Sequence, residues 1–361
     1  MSDTPTLRPR HQRTKKGATP AKAAGGRTAR PSSGRATLET VATLAGVSRM
    51  TVSRVINHPE TVTSELKEVV QKAIVETGYV PNLLAGGLAS SRTKVVAAVV
   101  PTLTHVLFSG AIQAFTDRLA LDGYQMLLGL SGYPTEREGG LLQAILSRRP
   151  DALYLTGTSH LAQTRRQLRA AKIPIVETWD LSHKAVDMAV GFSHKAVGQG
   201  VANYLYGKGY RQFATIGADD ERATLRSREF IATLAGHGIS DVACISTPAP
   251  STMAMGREAL GELLANGFRR GAIQCSSDAM AHGVVLEAQA RGLAVPGDIA
   301  VVGFGDLDFA AYMSPPLSTV RIDRFAIGRL AAEALLTRLA GHPVARKVVD
   351  VGFGIVERAT T

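Results

Sequence analysis

The stretch TLETVATLAGVSRMTVSRVINHPETVTSELKEVVQKAIVETGYVPN, residues 37–82, reads as three short amphipathic helices, the first two joined by a very tight turn. Leu38, Val41, Ala42 and Ala45 recur at helical spacing. Gly46 permits the sharp turn, and Val47, Val52, Val55 and Ile56 resume the period after Ser48, a good N-cap. A third helix, Ser64 to about Thr77, is expected to cover the apolar faces with Leu66, Val69, Val70, Ala73 and Ile74. This is a helix-turn-helix pattern. Its second helix presents Arg49, Met50, Thr51, Ser53, Arg54 and Asn57 at or near the N-terminal end, where such a helix meets base edges in the major groove. Other small three-helix bundles share the apolar pattern. What distinguishes this one is its attachment: Tyr79-Val80-Pro81-Asn82 leads through LLAGGLASSRT, residues 83–93, into the strand-like VVAAVVP of residues 95–101.

The 361 residues are enough for more than one domain, and 45% apolar with 20% charged residues fits globular cores. No apolar run approaches the roughly 20 residues of a membrane helix, and the N-terminus lacks the apolar core of a secretory signal, so a cytoplasmic protein is expected. The net charge of +11 is unevenly placed. Residues 1–36 hold Arg8, Arg10, Arg13, Lys15, Lys16, Lys22, Arg27, Arg30 and Arg35 against Asp3 alone. That Pro-, Gly-, Ala-, Ser- and Thr-rich segment buries too little apolar surface to fold by itself and reads as a disordered basic tail. It serves either as a solvated leader or as an arm attracted to phosphates. Cys244 and Cys275 lie in strand-like apolar runs and are expected as buried, reduced thiols; zinc spacing is absent, and neither a metal nor a cofactor is expected.

From Lys94 onward strands alternate with amphipathic helices, which predicts parallel sheets covered by helices on both faces. Nine strands are read at 95–100, 125–130, 152–156, 173–177, 187–191, 213–217, 243–245, 272–275 and 299–303. Helices are read at 110–122, 136–147, 196–208, 226–236, 255–266, 279–291 and 325–340. Two βα halves of similar make-up, divided near Gly191, predict two doubly wound lobes with a cleft between them. Ligands of open α/β sheets sit beyond the carboxyl ends of the strands.

With these motifs in order along it, the chain resembles the lactose/galactose repressor (LacI/GalR) family. The matching segments are TLETVATLAGVSRMTVSRVIN, GYVPNLLAGGLAS, SSDAMAHGVVLEAQARGLAVPGDIAVVGFGD and MSPPLSTVRIDRFAIGRLAAEALL. PTLTHVLFSGAIQAF, EREGGLLQAIL, VETWD and AVGFSHKAVG are most similar to the gluconate-repressor branch. The resemblance implies a homodimeric transcription regulator with a periplasmic-binding-protein-like core, whose small-molecule effector alters its affinity for palindromic double-stranded operator DNA in the nucleoid. It further implies a division into a tail (1–36), a helix-turn-helix domain (37–81), a hinge helix and linker (82–93) and an effector-binding and dimerisation core (94–361). In the core, the N-lobe would comprise about 94–191 and 321–346, and the C-lobe about 192–320 and 347–361.

On the same resemblance, Arg49, Met50 and Arg54 match the base-contacting positions, with Thr51, Ser53 and Asn57 available for phosphates or sugars. Thr37 and Ser48 would offer hydroxyl or backbone N–H groups to phosphates at helix N-termini. Residues 82–90 match the hinge helix, with Asn82 and Ala85 on it and Leu88 at the minor-groove wedge position. Gly86-Gly87 departs from the usual hinge and weakens the helix. Arg226 matches an effector-binding arginine, a fork suited to a carboxylate. Ser277 stands where the family often has Asn, next to Asp278. Gly305 stands where sugar-binding relatives usually hold Asp, which argues for less negative charge in the cleft and for a sugar acid, gluconate or a relative. His105, Phe108, Glu177, Trp179 and Phe192 follow strands or open helices and are candidates to complete the site. His160, His183 and His194 read as ordinary loop or helix-start residues. Dimer contacts are expected from apolar segments near Leu107–Leu119 and Ala279–Leu286, and the lack of a C-terminal heptad argues against a zipper-built tetramer.

Within the same family, a regulator of a neutral sugar or one acting with a corepressor is the alternative. An enzyme is disfavoured: Gly303-Phe304-Gly305 lacks the third glycine and following helix of a dinucleotide fingerprint, and no P-loop or nucleophile–base–acid order can be assembled. A solute-binding protein shares the core but would carry a signal peptide and no helix-turn-helix.

Overall fold

The computed structural model describes residues 36–80, 92–134, 136–182 and 184–361. The expected hinge positions Asn82, Ala85 and Leu88, the basic tail up to residue 35, and His183 lie outside the described residues. The chain forms two compact units, Met1–Ala89 and Ser90–Thr361. Among the described residues no helix is long and apolar enough to cross a membrane.

In the first unit, helix α1 (Leu38–Ala45) starts at a capping box in which Thr37 and Thr40 satisfy each other's backbone N–H groups. It stops at Gly46, held at φ 66, where a side chain would be strained. Helix α2 (Arg49–Asn57) follows at once, with the Thr51 N–H bonded to Ser48 Oγ at 3.1 Å. After a 3₁₀ turn at Pro59–Thr61, helix α3 (Ser64–Thr77) closes the bundle. Val41, Ala42, Val52, Val55, Val70, Ala73 and Tyr79 form its buried core. Val69, expected to cover that core, is half exposed, because its neighbour Val70 occupies the inward face.

The second unit holds β1 (Val95–Val100), β2 (Gln125–Leu130), β3 (Ala152–Thr156), β4 (Ile175–Thr178), β5 (Met188–Gly191) and β11 (Val348–Asp350) in one sheet, ordered β11-β5-β4-β3-β1-β2. The other sheet contains β6 (Phe213–Ala218), β7 (Val242–Thr247), β8 (Gly271–Cys275), β9 (Ile299–Gly305), β10 (Ser318–Arg321) and β12 (Gly354–Val356), ordered β12-β10-β9-β8-β6-β7. All described pairings are parallel except β10 with β12. The two lobes thus share one strand order, each reversing direction beside its first strand, where open sheets leave a crevice.

Strands β10, β11 and β12 and the helix Ala162–Ala171 are absent from the sequence reading. The C-terminal boundary also shifts. Val348–Asp350 pairs with β5 of the first sheet, so the chain stays in the N-lobe past the expected residue 346 and crosses only before Gly354. Cys275 is buried as expected, but Cys244 is exposed, because β7 is an edge strand covered incompletely; both thiols are free.

Helices α4 (Val106–Ala120) and α11 (Arg324–Leu339) pack tightly in the N-lobe. The apolar side of α4, Leu107, Phe108, Ala111, Ile112, Phe115 and Leu119, is buried within the chain, as are Met280, Ala281, Val284 and Val285 of the helix Asp278–Ala290. Those two apolar stripes are therefore spent on the protomer's own core rather than left for a partner. At Gly328 a Cβ would lie 2.0 Å from the Ala111 carbonyl oxygen, a backbone atom that cannot step aside. Gly328→Ala gains about 1 kcal/mol of helix propensity but forces the helices apart, which costs more, about 1–3 kcal/mol or above. The variant is expected to melt at lower temperature in calorimetry; an unchanged or higher Tm contradicts this packing.

Candidate DNA-reading helix and effector cleft

Helix α2 has two unlike sides. Val52 and Val55 face the bundle core, whereas Arg49, Met50, Arg54 and Asn57 are exposed and Thr51 and Ser53 partly so. Met50 is 73% exposed, which excludes a packing role for it. Arg49 pairs with Glu39 at 3.3 Å, both ends wet, a contact of little stabilising value that leaves the guanidinium available. The Asn57 amide is turned back onto Ser53, donating to its carbonyl at 2.9 Å and its hydroxyl at 3.2 Å. Thr37 and Ser48 are exposed helix caps. All eight positions thus lie on the helix-turn-helix, each with its side chain accessible or engaged only locally.

In the second unit, two adjoining chambers lie beyond the strand ends of both lobes. The inner chamber, about 40 Å³, is lined by His105, Leu107, Phe108, Trp179, Phe192, His194, Arg226 and Phe304, among others. The outer chamber, about 260 Å³, is lined by Tyr133, Glu138, Thr156, Asp180, Asp219, Asp220 and Glu221, among others. Arg222, Tyr133 and Asp220 border both.

Asp220 caps the helix Glu221–Gly236, accepting from the Arg222 and Ala223 N–H groups at 3.1 Å each. One turn separates Arg222 from Arg226, so both guanidiniums leave the same face toward the cleft. Arg226 is 5% exposed; it donates to His194 Nδ1 at 3.0 Å and to the Ser276 carbonyl at 3.1 Å, and stacks 3.9 Å from the Phe304 ring centre. Burial pulls its pKa down to about 10, which leaves it charged at neutral pH. Its Nε, like His105 Nδ1, is buried with no hydrogen-bond partner among the described residues. Buried polar atoms are nearly always satisfied, so these two mark where a ligand is expected. Burial, with help from Arg226, lowers the His105 pKa to about 4 and keeps the ring neutral.

His194 has one possible protonation state here. Its Nε2 lies 3.0 Å from the Trp179 carbonyl and 3.2 Å from Asp180 Oδ1, both acceptors, while its Nδ1 accepts from Arg226, which only donates. The ring is therefore neutral with the proton on Nε2, in keeping with a pKa lowered mainly by burial. Trp179 is held at φ 74, an unusual backbone for an aromatic residue, and its edge meets Phe108 and Phe192. Strain of this kind persists where surroundings enforce a working geometry.

The cleft collects His105, Phe108, Trp179, Phe192 and Arg226, but three other sequence candidates are engaged elsewhere. Glu177 is fully buried outside both chambers, its carboxylate held by His160 Nε2 at 3.1 Å and the Val186 N–H. Ser277 caps its own helix through the Met280 N–H at 3.2 Å and accepts from Ser251 at 2.8 Å. Asp278 accepts from the Leu307 N–H at 2.7 Å and Thr319 Oγ1 at 2.5 Å, tying down the segment after β9. Burial raises the Asp278 pKa to about 6, against those two hydrogen bonds. The expectation of a cleft with little negative charge is also corrected: Glu138, Asp180, Asp219, Asp220 and Glu221 all border the outer chamber.

Residues 37–82 match bacterial regulatory proteins of the lacI family, and residues 202–361 match the periplasmic binding protein-like domain. The HTH-type transcriptional regulator GntR of Pseudomonas aeruginosa is 38% identical over 330 residues, covering 91% of this chain and 96% of that protein. The chain belongs to the lacI family. A lacI-family regulator from Silicibacter pomeroyi has a solved structure that is similar over 90% of this chain and 99% of its own, with TM-score 0.86 and 32% identity. The lac repressor dimer bound to operator and an anti-inducer is similar over 91% of this chain and 99% of that one, with TM-score 0.78 and 25% identity. This lacI-family chain is accordingly a DNA-binding transcriptional regulator and not an enzyme.

For this lacI-family regulator, sequence reasoning missed Arg222, Asp180, His194 and Phe304. The i, i+4 spacing of Arg222 and Arg226 was a signal for the first; the others depend on which strand ends meet across the cleft. It also passed over His160, read as a plain loop residue. That side chain is 1% exposed between Glu138, at 2.8 Å, and Glu177, at 3.1 Å. Burial alone would lower its pKa, but the two carboxylate hydrogen bonds outweigh it and raise the value to about 9. Its unfolded pKa is about 6.5, so the folded state holds the extra proton between the two. The stabilisation is present in full below pH 6.5 and is lost as pH rises through 9, by at most about 3 kcal/mol. Urea unfolding from pH 6 to 9.5 should show wild type losing stability that His160→Gln does not lose; parallel curves contradict the doubly bonded imidazolium.

Proposed function

We propose that this chain represses genes of sugar-acid catabolism, binding a palindromic operator as a homodimer in the cytoplasm, on the nucleoid, and leaving it when a gluconate-type effector fills the interlobe cleft. The proposal assigns residues 37–81 to operator reading, 82–93 to the hinge and 94–361 to effector binding and dimerisation. The observation that carries the ligand class is the division of the cleft. The inner chamber brings two guanidiniums, from Arg222 and Arg226, among aromatic walls, a setting for one carboxylate. The outer chamber is bordered, besides Asp180, by Glu138, Asp219, Asp220 and Glu221, whose carboxylates can accept from a row of hydroxyl donors. A polyhydroxylated monocarboxylate matches both ends, and a neutral sugar matches only the second. The similarity to GntR supports the same reading.

On the DNA side, Arg54 and Arg49 would each offer a bidentate pair of donors to guanine, and Met50 an apolar surface to a thymine methyl. Arg54→Ala is expected to cost about 1–3 kcal/mol of affinity for the selected operator and much less for random duplex; equal losses on both contradict base reading. The described head itself is not basic: Arg49, Arg54, Lys67 and Lys72 face Glu39, Glu60, Glu65, Glu68 and Glu76. Phosphate attraction then falls to the nine cations of residues 1–36. Removing residues 1–35 should flatten the dependence of log Kd on log salt; an unaltered slope makes the tail a bystander.

The effector class is tested by thermal shift on the full chain. Gluconate or a related sugar acid at 100 times its Kd should stabilise the core by about 2.7 kcal/mol and release the operator. Stabilisation by hexoses or purines alone overturns the sugar-acid reading, and tighter operator binding with ligand makes the effector a corepressor.

A further inference from the structure

We propose that Arg222, rather than Arg226, is the seat of the effector's carboxylate, and that Asp180 is a built-in counter-ion which an acidic effector displaces from it. This rests on the sugar-acid reading above and names the recognition step within the same cleft.

Arg226 is held more rigidly by the protein than Arg222 is. One terminal nitrogen is committed to His194 Nδ1 at 3.0 Å and the other to the Ser276 carbonyl at 3.1 Å. The His194 bond cannot be reversed, because the ring's other nitrogen faces the Trp179 carbonyl and the Asp180 carboxylate, two acceptors. One guanidinium face lies against Phe304. Two of its five N–H donors are thus used, and Nε has no hydrogen-bond partner among the described residues. A carboxylate placed on Arg226 has to fit around those two bonds and the Phe304 ring, at a side chain only 5% exposed.

Arg222 is differently held. It borders both chambers, its guanidinium centre lies 5.6 Å from the Phe108 ring centre, and its one ion pair among the described residues, with Asp180 Oδ2, is 3.6 Å long. That distance exceeds a hydrogen bond, so an incoming carboxylate that makes two good ones replaces a weak contact with a strong one. A hydroxyl of a neutral sugar cannot take over the charge, and the pair stays closed against it. Asp180 is held below the usual carboxylate range, burial being outweighed by His194 and Arg222, so it remains an anion beside the seat. An anionic effector therefore meets repulsion there until Asp180 is released, and Asp180 keeps His194 as its remaining partner at 3.2 Å.

The exchange also has a mechanical side. Asp180 follows β4 of the N-lobe, whereas Arg222 sits at the start of the C-lobe helix Glu221–Gly236. The resting pair is a link across the cleft, next to a second one from Ser159 to Glu221 at 2.7 Å. Replacing the first by a ligand bridge changes what holds the lobes together at the position where the effector acts.

Calorimetric titration of the full chain with gluconate, and with sorbitol as the neutral chain of equal length, tests this. Wild type should bind gluconate and not sorbitol. Arg222→Gln should weaken gluconate by about tenfold or more, equivalent to roughly 1.4 kcal/mol. Arg222→Lys, which keeps charge without a fork and serves if the Gln variant does not melt cooperatively, should fall between. Asp180→Asn should tighten gluconate by about threefold or more, through removal of the competing anion. Gluconate binding by Arg222→Gln or Arg222→Lys equal to wild type overturns the seat. Unchanged or weakened gluconate binding by Asp180→Asn overturns the counter-ion. If wild type binds no sugar acid at all, the functional reading itself fails, and that failure is visible before any variant is made.

Discussion

Two guanidiniums in the interlobe cleft, Arg226 buried and Arg222 part-buried beside it, impose the constraint on which the rest of this regulator depends. Arg226 is almost wholly buried, and a buried cation survives only where its donors are met. The structure holds it with groups from distant parts of the chain, His194 at the start of its helix, Ser276 after β8 and the ring of Phe304 at the end of β9, and leaves Nε without a partner among the described residues. His194 in turn reaches Trp179 and Asp180 beyond β4. The network therefore stitches the strand ends of both lobes into one site. A solvated pair of arginines would attract anions without distinguishing them; a buried Arg226 with fixed partners beside a part-buried, loosely paired Arg222 makes the identity of the anion matter.

The same network is where an effector can act on how the two lobes of the second unit are held together. The lobes share one strand order and are joined by three short crossings, after β5, after β10 and between β11 and β12. With so few covalent connections, the ion pair from Arg222 to Asp180 and the hydrogen bond from Ser159 to Glu221 contribute directly to holding the lobes together. An effector can change how lobes are arranged only by its difference in affinity for the arrangements. A ligand that exchanges partners with Asp180 and Arg222 supplies such a difference.

Much of this was legible in the sequence where a local rule is strong. The period of Val41, Val52, Val55 and Val70, the caps Thr37 and Ser48 and the left-handed Gly46 specify the reading head with no distant contact, and α2 exposes the residues its pattern leaves out. The long parallel strands were equally plain. What escaped was fixed by tertiary pairing. Strands β10, β11 and β12 are three or four residues long and exist because neighbours accept them. Glu177 has the chemistry of a ligand acceptor, yet His160 claims it from a loop 17 residues away. Asp278 follows a strand at the expected place and is consumed by Leu307 and Thr319. Residue type announced these groups as polar; only the fold decided which faced the cleft and which faced one another.

Reciprocal coupling between cleft and operator is the central claim, and it can be measured without any mutation. The affinity of gluconate should be determined calorimetrically twice, once for the free protein and once for the protein saturated with its selected operator. Linkage requires the operator complex to bind gluconate more weakly by the same factor by which gluconate weakens operator binding, typically 5–150-fold, or about 1–3 kcal/mol. Equal affinities in the two states would show that the cleft and the reading helix do not communicate.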